Sequence, residues 1–113
     1  MYDNIARDSM NKSKLKKLRR KLRTLRLKGG ITGREMAKFA NACGRKQRGE
    51  SGGHPAYFSE YFPEERDISI PSHGATKGGT LTKGTAHSIL DALEGDLDRL
   101  QDMLDNETRG NNE

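Results

Sequence analysis

Residues 12–28 read KSKLKKLRRKLRTLRLK, a stretch in which leucines recur among lysines and arginines. Successive leucines are separated by three, four and three residues, a spacing that places them on one face of an α-helix. These are Leu15, Leu18, Leu22 and Leu25. Gly29 and Gly30 follow and indicate where the helix ends. The stretch therefore predicts a basic amphipathic helix whose leucines need a second apolar surface to cover them.

A second leucine stripe lies near the C-terminus. From Leu90 to Leu104 the leucines are separated by three or four residues in alternation, which is heptad spacing over two heptads. The remaining positions of this segment are mostly acidic. They include Asp91, Glu94, Asp96, Asp98, Asp102 and Asp105. The pattern predicts an acidic helix that begins near Thr85, followed by a disordered tail over residues 106–113.

The charge of the chain is divided between its two parts. The 113 residues carry a net charge of +5. Residues 1–48 contain sixteen Lys/Arg and three acidic residues, a net charge of +13, whereas residues 49–113 contain five and thirteen, a net charge of −8. A basic arm of this kind favours an anionic partner, with nucleic acid the first expectation.

Three interpretations of the basic helix stay open. It could be a solvated run of charge, or it could bind RNA or ribosomes through phosphates. Its leucines could also pack on the acidic helix, either within the same chain or in a second copy, which would make a homo-oligomer. The second and third interpretations are compatible, with leucines inward and cations outward.

Composition limits the class of protein. Hydrophobic residues make up 31% of the chain, which favours a small core with solvated arms. The single cysteine, Cys43, suits a reducing cytoplasm, where we expect the protein to act. No apolar run approaches the roughly 20 residues of a membrane-spanning helix, so no membrane partner is expected.

The middle of the chain predicts a small α+β unit. Thr32 and Glu35 have the spacing of a capping box at the start of a helix that Gly44 ends. Residues 45–53 form a basic, glycine-rich connection with room for a short edge strand, and residues 54–62 and 67–71 read as strands. The predicted core is α-β-β-β-α, with a helix pair on one face of the sheet.

Several short motifs in this unit resemble, in the same order, those of the HicA toxins of type II toxin–antitoxin systems. The resemblance covers residues 33–95. Its motifs are Gly52-Gly53-His54, the aromatic strand YFSEYF, Ile70-Pro71-Ser72-His73, and Lys83-Gly84-Thr85 before Ile89-Leu90. Each motif alone is weak, and the specificity lies in their order and spacing. The chain would then divide into a basic extension (1–30), a HicA-like domain (31–95) and an acidic extension with its tail (96–113).

The resemblance implies a fold like a double-stranded-RNA-binding domain (dsRBD) and a metal-independent endoribonuclease. Such an enzyme cleaves mRNA, stops translation and is neutralised by a HicB-type antitoxin. The essential histidine of the family corresponds to His54 of this chain. No cofactor is implied, and the scattered histidines and single cysteine do not have the spacing of a metal site.

RNA cleavage without a metal needs a group that accepts the proton of the ribose 2′-OH near neutral pH. Histidine, with an ordinary pKa of about 6.5, suits that role, so His54 is the candidate catalytic residue. Cations that balance the charge of the phosphate and glycines that let RNA approach should lie nearby. The candidate RNA-binding residues are Arg45, Lys46, Arg48, Gly52, Gly53, His73, Lys77 and Lys83.

Two alternatives to the ribonuclease stay open. The chain could be a non-catalytic RNA- or ribosome-binding module of the same fold, with His54 only a contact. It could instead be an interaction protein built around the charged helices. His54 taken alone also fits an exposed turn residue at the start of a strand.

Overall fold

The computed structural model describes residues 10–51, 53–71 and 79–111. Its elements, in chain order, are α1 (Lys12–Leu27), α2 (Gly33–Ala42), β1 (Arg45–Ser51), β2 (His54–Ser59), β3 (Ile68–Ser69) and α3 (Lys83–Asn111). The α+β class is confirmed. The expected edge strand is present as β1. Two predictions need correction: the strands predicted over 54–62 and 67–71 are shorter, and α3 continues to Asn111 where a disordered tail from residue 106 was expected.

Helix α1 begins and ends close to where the leucine pattern predicts. Asn11 is the N-cap, and its side chain accepts a hydrogen bond of 2.9 Å from the backbone N–H of Lys14. At the other end the backbone N–H of Lys28 donates to the carbonyl of Thr24. Leu15, Leu22 and Leu25 are buried, as expected for the apolar face.

Helices α1 and α3 pack against each other within the same chain, and their ion pairs show that they run antiparallel. Lys12 lies 3.7 Å from Asp105, Arg19 lies 3.0 Å from Asp98, and Arg26 lies 2.8 Å from Asp91. Each step of seven residues forward on α1 matches a step of seven backward on α3. The packing of the two leucine stripes is thus confirmed within one chain, and these leucines are already buried before any second copy is considered.

Helix α2 begins at the predicted capping box. The Thr32 hydroxyl accepts a 3.0 Å hydrogen bond from the backbone N–H of Glu35, and the Glu35 carboxylate accepts one of 3.2 Å from the backbone N–H of Thr32. Lys28 donates to the same carboxylate. The helix buries Met36, Phe39 and Ala40 and ends at Gly44, whose φ is +99°.

Gly44 cannot be replaced without a shift. A Cβ at this position would lie 2.3 Å from the ring of Tyr61, and the positive φ already disfavours any other residue. The chain can therefore turn from α2 into β1 only with glycine here.

The sheet has the order β1-β2-β3 with antiparallel neighbours. In β1 and β2, Arg45 pairs with Ser59 and Gln47 with Tyr57, and the register shifts between Gln47 and Glu50 at a bulge in β1. Tyr57 pairs in turn with Ile68 of β3. Because side chains alternate along a strand, this register defines two faces.

The inner face of the sheet carries Arg45, Tyr57 and Ile68, all of which are buried on the side of α3. One apolar cluster joins this face to the helices and draws residues from all three predicted segments of the chain. Within the described residues, no helix combines the length and hydropathy needed to cross a membrane.

Candidate functional site

The predicted catalytic residue, His54, is the first residue of β2, at the tip of the β1–β2 hairpin. It pairs with Ser51 of β1 and is exposed. Gly53 precedes it with φ +82°, and a Cβ added there would have no atom within 4 Å. The space beside Gly53, next to the exposed His54, is therefore open enough for a polymer backbone to approach.

The outer face of the sheet, opposite the helices, carries an aromatic ring beneath a cation. By strand alternation His54, Ala56 and Phe58 lie on this face of β2, where His54 is exposed, Phe58 is half-buried and Ala56 is buried. The guanidinium carbon of Arg48 lies 4.6 Å from the centre of the Phe58 ring, a cation–π contact. His54 and Phe58 are four residues apart, about 13 Å along the strand. A short RNA segment could therefore span both.

Two acidic residues pair with the cations of the outer face. Lys46 lies 3.3 Å from Glu60, and Arg48 lies 3.2 Å from Asp67. The side chains of Lys46 and Arg48 are nevertheless 65% and 62% exposed. Exposed ion pairs contribute only about 0–1 kcal/mol, so a phosphate group can compete for both cations.

The prediction that Arg45 contacts RNA phosphate is wrong. Its side chain is 3% exposed and forms a bidentate pair with Asp96 of α3, through hydrogen bonds of 2.7 and 3.0 Å. A third nitrogen donates to the carbonyls of Tyr57 and Arg66. The guanidinium is thus fully used inside the fold, because residue 45 falls on the face of β1 that α3 covers.

Lys83 is the first residue of α3. It is exposed and lines an open cavity of about 420 Å³ between α3, the end of α1 and the segment that follows α1. No residue of the sheet lines this cavity. Among the described residues, Lys83 has no ion-pair partner, and its role in RNA binding stays a prediction.

Three candidate residues lie outside the described part of the chain. They are Gly52, His73 and Lys77. The site that can be built from the described residues is therefore the outer face of β1 and β2 together with Gly53.

Among the described residues, neither Cys43 nor a cluster of metal ligands adds a reactive group to the outer face. Burial raises the pKa of the Cys43 thiol to about 12, with the Asp96 carboxylate adding to the effect, so the thiolate nucleophile does not form near neutral pH. No group of three or more His, Cys, Asp or Glu side chains in residues 10–51, 53–71 and 79–111 is placed to hold a metal ion.

From the sequence, Phe58 was expected in the sheet core more than as a platform for base stacking, although strand alternation left one face that could be open to RNA. Its neighbour Tyr57 is buried on the inner face, and the alternation of a strand then places Phe58 on the outer face. The pair of adjacent aromatics signalled that one of them would face outward, but only the position of α3 decides which one. An outward ring below an arginine can stack with a nucleobase.

Comparisons of the chain with protein-family models, with curated proteins and with solved structures find no match.

Proposed function

We propose that this protein is a HicA-like, metal-independent endoribonuclease that cleaves mRNA in the cytoplasm and is neutralised by a HicB-type antitoxin. The observation that carries the proposal is the placement of His54. It is exposed beside open space at the hairpin tip, on the same sheet face as Arg48 and Phe58. The order of the HicA-like motifs supports the same assignment.

A dsRBD-like arrangement of the sheet and helices belongs to the same proposal. The buried face of the sheet meets α3 through Arg45 and Asp96, which leaves the outer face for RNA. On this outer face Phe58 would stack with a base, and Lys46 and Arg48 would bind phosphates.

The chemistry assigned to His54 is transfer of the phosphodiester to the neighbouring 2′-oxygen. The imidazole takes the proton from the ribose 2′-OH, and the 2′-oxygen attacks the adjacent phosphorus. The bond from phosphorus to the 5′-oxygen breaks, and the leaving oxygen takes a proton from water. The products are a 2′,3′-cyclic phosphate and a 5′-hydroxyl, and Lys46 and Arg48 offset the charge that builds on the phosphate oxygens.

A second candidate function is a non-catalytic RNA-binding module on the same face. One observation favours it: the His54 imidazole has no hydrogen-bond or ion-pair partner among the described residues. Catalytic histidines are often oriented by a third group, and no such group is placed here by residues 10–51, 53–71 and 79–111.

The experiment that separates the two compares His54→Ala with His87→Ala. His87 is also an exposed histidine, but it lies on α3, so it controls for loss of an imidazole as such. Purified proteins are incubated with labelled mRNA in EDTA, and the fragments and their 2′,3′-cyclic ends are measured. The ribonuclease proposal expects fragments from wild type and His87→Ala and none from His54→Ala, with unchanged thermal melting.

Retained cleavage by His54→Ala would overturn the catalytic assignment. RNA binding by wild type and His54→Ala alike, with no cleavage by either, would favour the binding module. If the protein neither binds nor cleaves RNA, the remaining alternative is an interaction protein built around the charged helices.

A further inference from the structure

The cations of α1 separate into rows with different surroundings. One row faces α3, where Lys12, Arg19 and Arg26 pair with carboxylates. The hydrogen bonds that Arg26 donates to the Asp91 and Glu94 carboxylates raise the pKa of Arg26, although burial acts in the opposite direction. The cations of this row therefore already have carboxylate partners on α3.

A second row points away from the leucines. At 100° per residue its four members fall within an arc of about 120°, on the side of α1 opposite the buried stripe. They are Lys16, Lys17, Arg20 and Arg23, named here the outer ridge. All four are exposed, and none has an ion-pair partner in the described part of the chain.

No acidic residue interrupts the outer ridge. Residues 9–34 contain neither Asp nor Glu, so no carboxylate on α1 itself can neutralise these cations. The acids of α3 that pair with α1 do so at Lys12, Arg19 and Arg26, between the leucine stripe and the outer ridge, and not at the outer ridge itself. The outer ridge is thus a concentrated positive surface left over once the helix pair has formed.

The packing of α1 decides which kind of partner suits the outer ridge. An amphipathic helix binds a membrane surface through its apolar face, but the leucines of α1 are covered by α3. Protein interfaces are depleted in lysine and enriched in aromatics and arginine. The outer ridge has two arginines but also two lysines and no aromatic residue, so it has only part of that composition. A polyanion with regularly spaced charges is the partner that matches.

We infer that the outer ridge binds the sugar–phosphate backbone of RNA, independently of sequence, as a second RNA-binding surface beside the outer face of the sheet. The choice of RNA among polyanions rests on the proposed function. Cations on successive turns of α1 lie about 5–6 Å apart at their Cβ atoms, so neighbouring ridge residues can contact successive phosphates of one strand. The outer ridge would supply affinity and leave the chemistry to His54.

This role has a specific signature in the salt dependence of binding. Each phosphate contact on single-stranded RNA contributes about −0.7 to the slope of log affinity against log salt concentration. Loss of Arg20 and Arg23 should therefore reduce the slope by about 1.4 and weaken binding about tenfold at low salt. In cleavage assays the same change should raise KM and leave kcat unchanged.

The test compares Arg20→Gln/Arg23→Gln with a matched control, Arg34→Gln/Arg66→Gln. All four arginines are exposed, none has a side-chain ion pair in the described residues, and both double variants lose two charges. Both are made in the His54→Ala background so that RNA stays intact, and binding to a labelled single-stranded RNA is measured at several salt concentrations. Circular dichroism checks that α1 is retained.

The inference expects the slope and affinity to fall for Arg20→Gln/Arg23→Gln and to stay near the parent for the control. Equal slopes and affinities for the two double variants would overturn it, as would a parent that does not bind RNA. The result for RNA binding by the outer ridge can be judged independently of the result for RNA cleavage. If wild type never cleaves RNA but the ridge variant still binds more weakly, the ribonuclease proposal fails and the outer ridge stands.

Discussion

The α1–α3 helix pair and the inner face of the sheet are both joined by Arg–Asp contacts, yet these contacts lie in opposite surroundings. Between the helices, Arg19 and Asp98 are 3.0 Å apart with side chains 34% and 63% exposed. Between the sheet and α3, Arg45 and Asp96 are 2.7 Å apart and only 3% and 5% exposed. The distances are similar, but the Arg45–Asp96 pair is both bidentate and buried, whereas the Arg19–Asp98 pair has one hydrogen bond and is exposed.

The difference shows that the same chemical pair has two structural roles. Exposed pairs are screened by water and salt, so the helices are held mainly by their leucines and the charges select the antiparallel alignment. A buried pair is poor evidence of net stability, but each partner becomes indispensable to the other once both are desolvated. Each prediction below targets one side of this contrast.

The largest effect is expected from Asp96→Asn. It leaves the Arg45 guanidinium buried without its carboxylate, which should lower the free energy of unfolding by about 3–5 kcal/mol. Asp98→Asn on the same helix is the matched control and should cost less than about 1 kcal/mol. Urea denaturation followed by circular dichroism measures both. Similar losses for the two variants would mean that burial does not distinguish the pairs.

The next effect is expected from the leucines of α1. Leu15→Ala removes a side chain that is 1% exposed and should cost about 2–5 kcal/mol, because it opens a cavity between the helices. Leu27→Ala, on the same helix but 84% exposed, should change stability by no more than about 0.5 kcal/mol. Thermal melting of both variants checks the contrast, and a tolerated Leu15→Ala would show that the leucines do not hold α1 on α3.

The smallest effect is expected from Glu35→Gln at the start of α2. Glutamine can still accept the capping hydrogen bond, so the variant removes the charge and keeps the cap. The hydrogen bond from Lys28, with that from the Thr32 backbone, lowers the pKa of Glu35 below its ordinary 4.5. The carboxylate therefore stabilises the fold above about pH 4.5, and this contribution disappears as the pH falls through the lowered value.

The free energy of unfolding of wild type should accordingly exceed that of Glu35→Gln by less than about 1 kcal/mol at pH 7, since the Glu35 side chain is one-third exposed. In acid the two proteins should have the same free energy of unfolding. Denaturation curves collected between pH 7 and pH 3 test the sign, and a difference that grows on acidification would contradict it.

Local patterns predicted the helices well because their signals are repeated along the chain. The leucine spacing indicated α1 over residues 12–28, and the helix spans Lys12–Leu27. The capping box at Thr32 is present as predicted. The end of α3 was harder to predict from the sequence, because residues 106–111 are polar and lack the leucine repeat that marks the earlier turns.

The strands were less predictable from the sequence. In Arg45-Lys46-Gln47-Arg48 every residue is polar, so no period-two alternation of apolar residues marks β1 as half-buried. Ile68 and Ile70, by contrast, showed that alternation, and both are buried. For the candidate site, the position of His54 at the start of a strand is confirmed, and its catalytic role stays a prediction.

What the sequence by itself determined is two helices that suit each other: two leucine stripes of matching spacing and opposite charge. Such stripes have few arrangements that bury both and pair the charges. What only the tertiary structure decided is which cations remain available to an anionic partner. Arg45 and Arg48 differ little in sequence context, but α3 covers one face of β1, so Asp96 takes Arg45 and the other face keeps Arg48 in solvent. Burial arises from contacts between residues far apart in the chain, and a local pattern does not contain them.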